Sequence, residues 1–294
     1  MGRVRRLASY NLRLMATIAE RRKTFHDLHR SGCFVLPNPW DIGSARYLQH
    51  LGFKALATSS AGFAFSRGLP DNSVGREMML AHIREIVEAT EVPVNADFEN
   101  GFADKPEQVG ENVRLCLRTG VAGLSVEDST GKKNALYDLP HATERIEAAR
   151  EAVQGSGALL VARAECFLFG RDDIDEVLRR LSAYAEAGAD CLYAPGVQSH
   201  EHMKRIVEAV APKPVNMLIG GANGWTIEEA AALGVRRVSV GGALARAAWG
   251  GFIRAAKQLS EYGTFEGFEG AAPHAALQEF FSVDSERRTQ AVQR

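Results

Sequence analysis

The sequence is short of the residues that would commit it to a secreted, membrane or nucleic-acid setting. Cysteine is scarce, with four in 294 residues, at Cys33, Cys116, Cys166 and Cys191. They lie far apart, without a CxxC pair or a Cys–His spacing. A disulfide framework and a zinc site are thereby excluded, and reduced, mostly buried thiols are expected. No apolar run approaches the ~20 residues needed to span a bilayer. A net charge of -1 gives no reason to expect nucleic acid or an anionic membrane surface as a partner. No Gly-x-Gly-x-x-Gly follows an apolar run, which removes the dinucleotide-binding fingerprint. No Pro- or Ser-rich linker divides the chain. The expected setting is the cytoplasm.

What is present is an alternation. With 46% hydrophobic residues the chain can build a large core. Eight short runs rich in Val, Leu and Ala recur: CFVLPN (33–38), KALATSS (54–60), PVNADF (93–98), GLSVED (123–128), LLVARAEC (159–166), CLYAPG (191–196), PVNML (214–218) and RVSVGG (237–242). Near-continuous apolar runs suit strands buried on both faces, as in a parallel sheet. Amphipathic helical stretches lie between them, several ending in Gly just before the next run, as in RTGVAG and EAGAD. Gly accepts the left-handed turn that closes a helix. The pattern predicts an α/β fold, one (β/α)8 TIM barrel over 25–260, since such barrels run to about 250 residues. An open doubly wound sheet is the alternative.

The flanks read differently. Residues 1–24 carry Arg3, Arg5, Arg6, Arg13, Arg21 and Arg22 against Glu20, and are expected to form a basic N-terminal helix or tail. The natural start is expected at Met1 or, as an alternative, at Met15. Residues 261–294 read as a C-terminal helical extension with Phe265, Phe268, Phe280 and Phe281, swapped onto a second barrel or packed on its own. The closing VDSERRTQAVQR reads as a frayed polar end.

In such a barrel the reacting groups sit at the C-terminal strand ends. The third run ends NADFENG, and alternation puts Asp97 and Glu99 on one side, toward the mouth. The fourth ends in Glu127 and Asp128. Acids gathered at one point repel unless a cation or shared protons compensate. Hard oxygen donors with few nitrogens suit Mg²⁺ or Mn²⁺. The plain alternative is that some of these acids cap the following helix. The fifth run carries Arg163 and Glu165. A charged pair there is costly unless paired or facing the site. Such an Arg can hold a carboxylate with two prongs, or serve in a structural ion pair. After the second run, Thr58 to Gly62 offer backbone amides to an anion or simply a turn. No Lys ends a core strand, so a Schiff-base aldolase is disfavoured.

The motifs PNPWDIGSAR, TSSAG, NADFENGF, SVEDS, VARAECF and PVNML, in this order, resemble the isocitrate lyase/phosphoenolpyruvate mutase superfamily. The resemblance implies a barrel with a swapped helix, a homo-oligomer (dimer or tetramer), Mg²⁺, and a small 2-oxo acid or its enolate. Beside that group a C–C or P–C bond is made or broken. It further implies that Asp71, Asp97, Glu99 and Glu127 cradle the metal, with Glu99 replacing the family's second Asp. Ser59, Ser60 and Ala61 would hold the substrate carboxylate and Arg163 the substrate. Asn216 matches a polar position on the seventh strand. Trp40 would wall the pocket, with Asp41 orienting it or capping the next helix.

The sequence also departs from the lyase members, which carry a Lys-Lys/Arg-Cys-Gly-His loop whose Cys is the acid/base. Here the stretch reads EDSTGKKNALY (127–137), with no Cys and no His before His141. Isocitrate or methylisocitrate cleavage by that route is disfavoured. Lys133 and Asn134 fall near the Lys and Asn of mutase and phosphonopyruvate-hydrolase members. Lys133 or Tyr137 becomes the candidate acid, on a loop (129–140) that would close over the site. Pro195 stands where lyases often present Glu, which argues against a second carboxylate arm. The expected reactions are oxaloacetate-type decarboxylation, P–C cleavage or rearrangement (as in carboxyvinyl-carboxyphosphonate phosphorylmutase-like members), or a lyase step with another acid. The alternative is a degenerate barrel that binds metal and a small oxo acid without turnover.

Overall fold

Each apolar run forms a parallel strand in the computed structural model, which describes residues 16–132 and 135–292. The strands are β1 (Phe34–Leu36), β2 (Leu56–Ala57), β3 (Val94–Asp97), β4 (Gly123–Glu127), β5 (Leu159–Arg163), β6 (Cys191–Tyr193), β7 (Val215–Leu218) and β8 (Arg237–Ser239). Their hydrogen-bonded order is β1-β8-β7-β6-β5-β4-β3-β2. Across the remaining seam the Ala57 N–H donates to Pro37 O at 3.1 Å. The sheet therefore closes almost fully, as the (β/α)8 alternation predicts. Register sets Glu127 opposite Arg163, Arg163 opposite Tyr193, Tyr193 opposite Asn216, and Asn216 opposite Arg237.

Helices return each strand to the next: α2 (Ile42–His50), α3 (Ser60–Ser66), α4 (Arg76–Ala89), α5 (Pro106–Leu117), α6 (Leu139–Val153), α7 (Ile174–Glu186), α8 (His200–Val210) and α9 (Ile227–Ala232). Their inward faces and the strands share one apolar core, in which Met79, Ile83, Val109, Ile146, Leu181 and Ile206 are almost fully buried. Side chains of this size each contribute roughly 1.5–3 kcal/mol when removed from water.

Preceding them, α1 (Ile18–Arg30) closes the barrel floor. Thr17 and Glu20 form a reciprocal capping box that starts it. Phe25 is fully buried among Leu36, Ala55, Ala57, Ala122 and Leu159. A Cβ on Gly123 would stand 2.8 Å from the Phe25 ring, so only Gly lets this helix seat so deeply. Arg21 donates to Val87 O and Thr90 O, at 2.9 and 3.2 Å. Arg22 donates to Leu117 O, Val121 O and Ser156 O, at 3.2, 3.0 and 2.7 Å. Two of the basic residues thus satisfy carbonyls left free where α4, α5 and α6 end.

The C-terminal helices behave differently. In α10 (Ala243–Tyr262) only Ala245 is buried, and Trp249, Phe252, Ile253, Leu259 and Tyr262 are exposed. The last helix, α11 (His274–Val292), returns to α2. The Phe280 ring packs on Tyr47 at 5.1 Å, Phe281 lies over Gly43, and Arg46 pairs with Asp284 at 3.4 Å. The polar end expected to fray is helical as far as Val292.

Candidate active site

Arg163, at the end of β5, organises the mouth. Its Nη1 meets Asp97 at 2.7 Å, its Nη2 meets Glu127 at 3.1 Å, and its Nε meets Glu165 at 2.9 Å. Three carboxylates from β3, β4 and the turn after β5 are thus combed by one guanidinium, whose planar fork suits several acceptors at once. Its face lies 5.1 Å from the Tyr193 ring centroid. Burial works against the cation, but Glu165, Glu127 and Asp97 outweigh it and hold its pKa well above the ordinary value. Burial raises the pKa of Glu127 and Glu165, with Arg163 opposing.

Asp97 is held from a second side. Ser60 donates both its backbone N–H (2.9 Å) and its hydroxyl (2.8 Å) to Asp97 Oδ2. The Ser59 hydroxyl caps α3 by accepting the Gly62 N–H at 3.1 Å. The small-residue segment 59–61 therefore anchors an acid at the mouth. In the first loop Asp41 is the N-cap of α2, accepting the Ser44 N–H at 2.7 Å, and Trp40 packs against α3 beside Gly62. Asn216 lies inside the barrel, fully buried. It donates to Ser239 Oγ (3.0 Å) and accepts from Arg237 Nε (2.9 Å), within a polar chain that continues to Asn95.

Glu99 is the unsettled member of the set. Its backbone is left-handed, with φ 45°, as are Phe102 at 55° and Asn72, beside Asp71, at 60°. Non-glycine residues there carry strain that surrounding structure must hold in place. Glu99 is buried, and its Oε1 has no hydrogen-bond partner. Burial, then Asp97 and Asp71, push its pKa up to about 8. Asp71 is likewise raised, by burial and then by Asp97.

A divalent cation fits these oxygens. An orphaned carboxylate oxygen between two further acids is what a hard cation would satisfy. Among the described residues no three His, Cys, Asp or Glu side chains converge into a ready-made cage. Mg²⁺ does not require such a cage, because it keeps several waters and takes one or two carboxylates. Asp97 and Glu99 would hold it, with Asp71 and Glu127 beside them.

Tyr137 stands apart from this cluster. Its hydroxyl donates to Asp104, and its ring lies under the Arg145 guanidinium at 4.0 Å. Burial and the Asp104 hydrogen bond raise its pKa to about 12. Lys133 and Asn134 lie outside the described residues. Sequence reasoning did not find Arg145 and Asn38, two buried polar residues around the mouth. Arg145 donates to the carbonyls of Asn100, Ala103 and Glu127, tying the loops after β3 and β4. Asn38 joins Thr58 O to the amides of Val240 and Gly241 across the seam. Asp128 is paired with Arg180 and Tyr184.

Comparison with known proteins places this geometry in context. The family model described as phosphoenolpyruvate phosphomutase matches residues 25–260. The chain is 31% identical over 268 residues to an uncharacterised Mycobacterium tuberculosis protein, covering 90% of this chain and 98% of that one. A Burkholderia cenocepacia crystal structure, provisionally described as a lyase/mutase, is 46% identical, with a TM-score of 0.87 over 90% of this chain and 97% of that one. Oxaloacetate acetylhydrolase in complex with its product oxalate is 26% identical, with a TM-score of 0.82 over 95% of this chain and 98% of that one.

Proposed function

The chain belongs to the phosphoenolpyruvate phosphomutase family, and we propose that it is a Mg²⁺-dependent enzyme acting on a small 2-oxo carboxylate. It would cleave or rearrange the C–C or P–C bond next to the oxo group, through a pyruvate-enolate-like intermediate. The observation that carries this reading is the set of acids around Arg163, with one buried carboxylate oxygen on Glu99 left without a partner. When bound, Mg²⁺ supplies Lewis-acid stabilisation of negative charge that develops on the substrate.

The chain's own residues supply the rest. Arg163 has five N–H donors, of which its three carboxylate partners engage three. Those remaining can orient a substrate carboxylate. Ser60 fixes Asp97, and Trp40 walls the first loop. The 129–137 loop would close to exclude water from a reactive enolate. The acid is Lys133 or Tyr137, and for Tyr137 the Asp104 bond must open first. Oxalate bound to a relative makes an oxo-acid-sized ligand reasonable. The exposed apolar face of α10 is suited to a second copy, in a dimer or tetramer with an exchanged helix. Light scattering would test that assembly.

The activity is tested with oxaloacetate, phosphonopyruvate, methylisocitrate and 2-substituted malates, following pyruvate or oxalate release with Mg²⁺ and with EDTA. One substrate should turn over, and EDTA should slow it by about a hundredfold or more. No turnover of any, with Mg²⁺-dependent oxalate binding retained, would favour a binding barrel.

A further inference from the structure

Behind the mouth lies a second polar cluster, which no role above absorbs. Asp128 is 2% exposed, Arg180 4% and Tyr184 0%. Asp128 Oδ2 accepts from Tyr184 Oη at 2.7 Å and from Arg180 Nη1 at 3.1 Å. Asp128 Oδ1 accepts the backbone N–H of Glu165 at 2.9 Å. The Asp128 main chain continues the pattern. Its N–H donates to Arg163 O at 3.2 Å, and its carbonyl accepts the Tyr137 N–H at 3.0 Å. Arg180 Nη1 also donates to Tyr137 O at 3.0 Å, and its Nε donates to Glu176 at 2.8 Å.

We propose that Asp128 is a positioning residue, which couples the end of the 129–137 loop to the orientation of Arg163 and Glu165. Every link is a hydrogen bond of the structure. The loop ends at Tyr137, whose two backbone polar groups are held by Asp128 and Arg180. Arg180 is held by Asp128, and Asp128 holds the Glu165 amide. Glu165 in turn holds Arg163 Nε. Displacing Tyr137 therefore disturbs the partners of the carboxylate that fixes the turn beneath Arg163. A buried ion pair of this kind contributes little net stability over a well-packed apolar replacement, so its use lies in arrangement. The inference rests on the reading of Arg163 as a substrate-facing group, and its test separates the two.

Two variants serve, Asp128→Asn and Tyr184→Phe. The first keeps size and one acceptor but removes the charge. The second removes the Tyr184 hydroxyl, with its bond to Asp128 (2.7 Å) and the long one it accepts from Arg180 Nη1 (3.5 Å), and leaves the ion pair, so it decides the matter where Asp128→Asn does not fold. Residue-resolved hydrogen exchange is followed at the Glu165 and Tyr137 amides, with Val94–Asp97 as the control, together with calorimetric oxalate binding in Mg²⁺. In Asp128→Asn both amides should exchange about tenfold faster or more, with the control unchanged, and oxalate should bind about tenfold more weakly. Tyr184→Phe should move all three in the same direction by about threefold. Wild-type exchange at Glu165 and Tyr137 overturns the proposal. So does faster exchange with oxalate affinity held within about twofold. If the wild-type protein binds no oxalate, the oxo-acid reading fails, and exchange alone decides whether Asp128 couples the two segments.

Discussion

The two ends of the barrel are built on opposite terms. At the floor Phe25 sits in an apolar cluster, and Arg21 and Arg22 direct their donors to backbone carbonyls. At the mouth, Asp97, Glu127 and Glu165 share one Arg163, and Glu99 is buried with an orphaned oxygen. Among the described residues the left-handed non-glycine positions are Asn72, Glu99 and Phe102, all in loops at the mouth. Backbone strain and shared carboxylates gather at the mouth, whereas buried polar atoms without a partner occur at both ends, Glu99 Oε1 at the mouth and Arg21 Nε and His29 Nε2 at the floor. Stability is made at one end and spent at the other.

That contrast can be broken or sharpened by substitution. The largest effect is expected at the floor, where Phe25→Ala should cost about 3–5 kcal/mol in denaturant unfolding, with turnover per folded molecule unchanged. At the mouth the sign reverses. Glu99→Gln should stabilise the metal-free protein by about 1–3 kcal/mol at neutral pH, because the folded state no longer has to retain a proton that the unfolded chain releases. The same substitution should weaken Mg²⁺ binding, read by calorimetry.

A pH series separates the two ends more finely. Glu99 is raised from 4.5 to about 8, so its contribution to stability is full below 4.5 and is lost as pH rises through about 8. Asp71, Glu127 and Glu165 shift in the same direction. His29 on the floor helix is lowered to about 3 and His82 on α4 to about 4, chiefly by burial. Their contributions are lost instead as pH falls below 6.5. Between 6.5 and about 8 the two histidines no longer contribute a slope, while Glu99 still does. There the metal-free protein should lose stability with rising pH, at up to about 1.4 kcal/mol per unit for each proton. Glu99→Gln should flatten that slope. The smallest effect is expected from Thr17→Ala, which removes the α1 capping box and should cost about 1 kcal/mol in thermal unfolding.

Much of this was legible in the sequence, for identifiable reasons. Strands buried on both faces must be apolar throughout, so eight runs announced eight strands. Asp97, Glu99, Glu127, Arg163 and Glu165 stood out because charge at the end of such a run has few bland explanations. Asp41 had two readings, and the Ser44 amide decides for the cap. The partners of these residues were not legible. Arg180 lies on the apolar stripe of α7 with Val177, Leu181 and Tyr184, a visible signal, but its target Asp128 is remote in sequence. Arg145 acts through three carbonyls, which no side-chain motif records. Glu99's left-handed backbone is hinted at only by the Asn100-Gly101 that follows it.

The most direct test of the mouth as a metal-dependent oxo-acid site is calorimetric titration of oxalate into the wild-type protein and Asp97→Asn, each with Mg²⁺ and with EDTA. Binding at a single site is expected in the wild type with Mg²⁺, lost in EDTA and lost in Asp97→Asn while that variant remains folded. Oxalate binding that ignores both the chelator and the substitution would contradict the account.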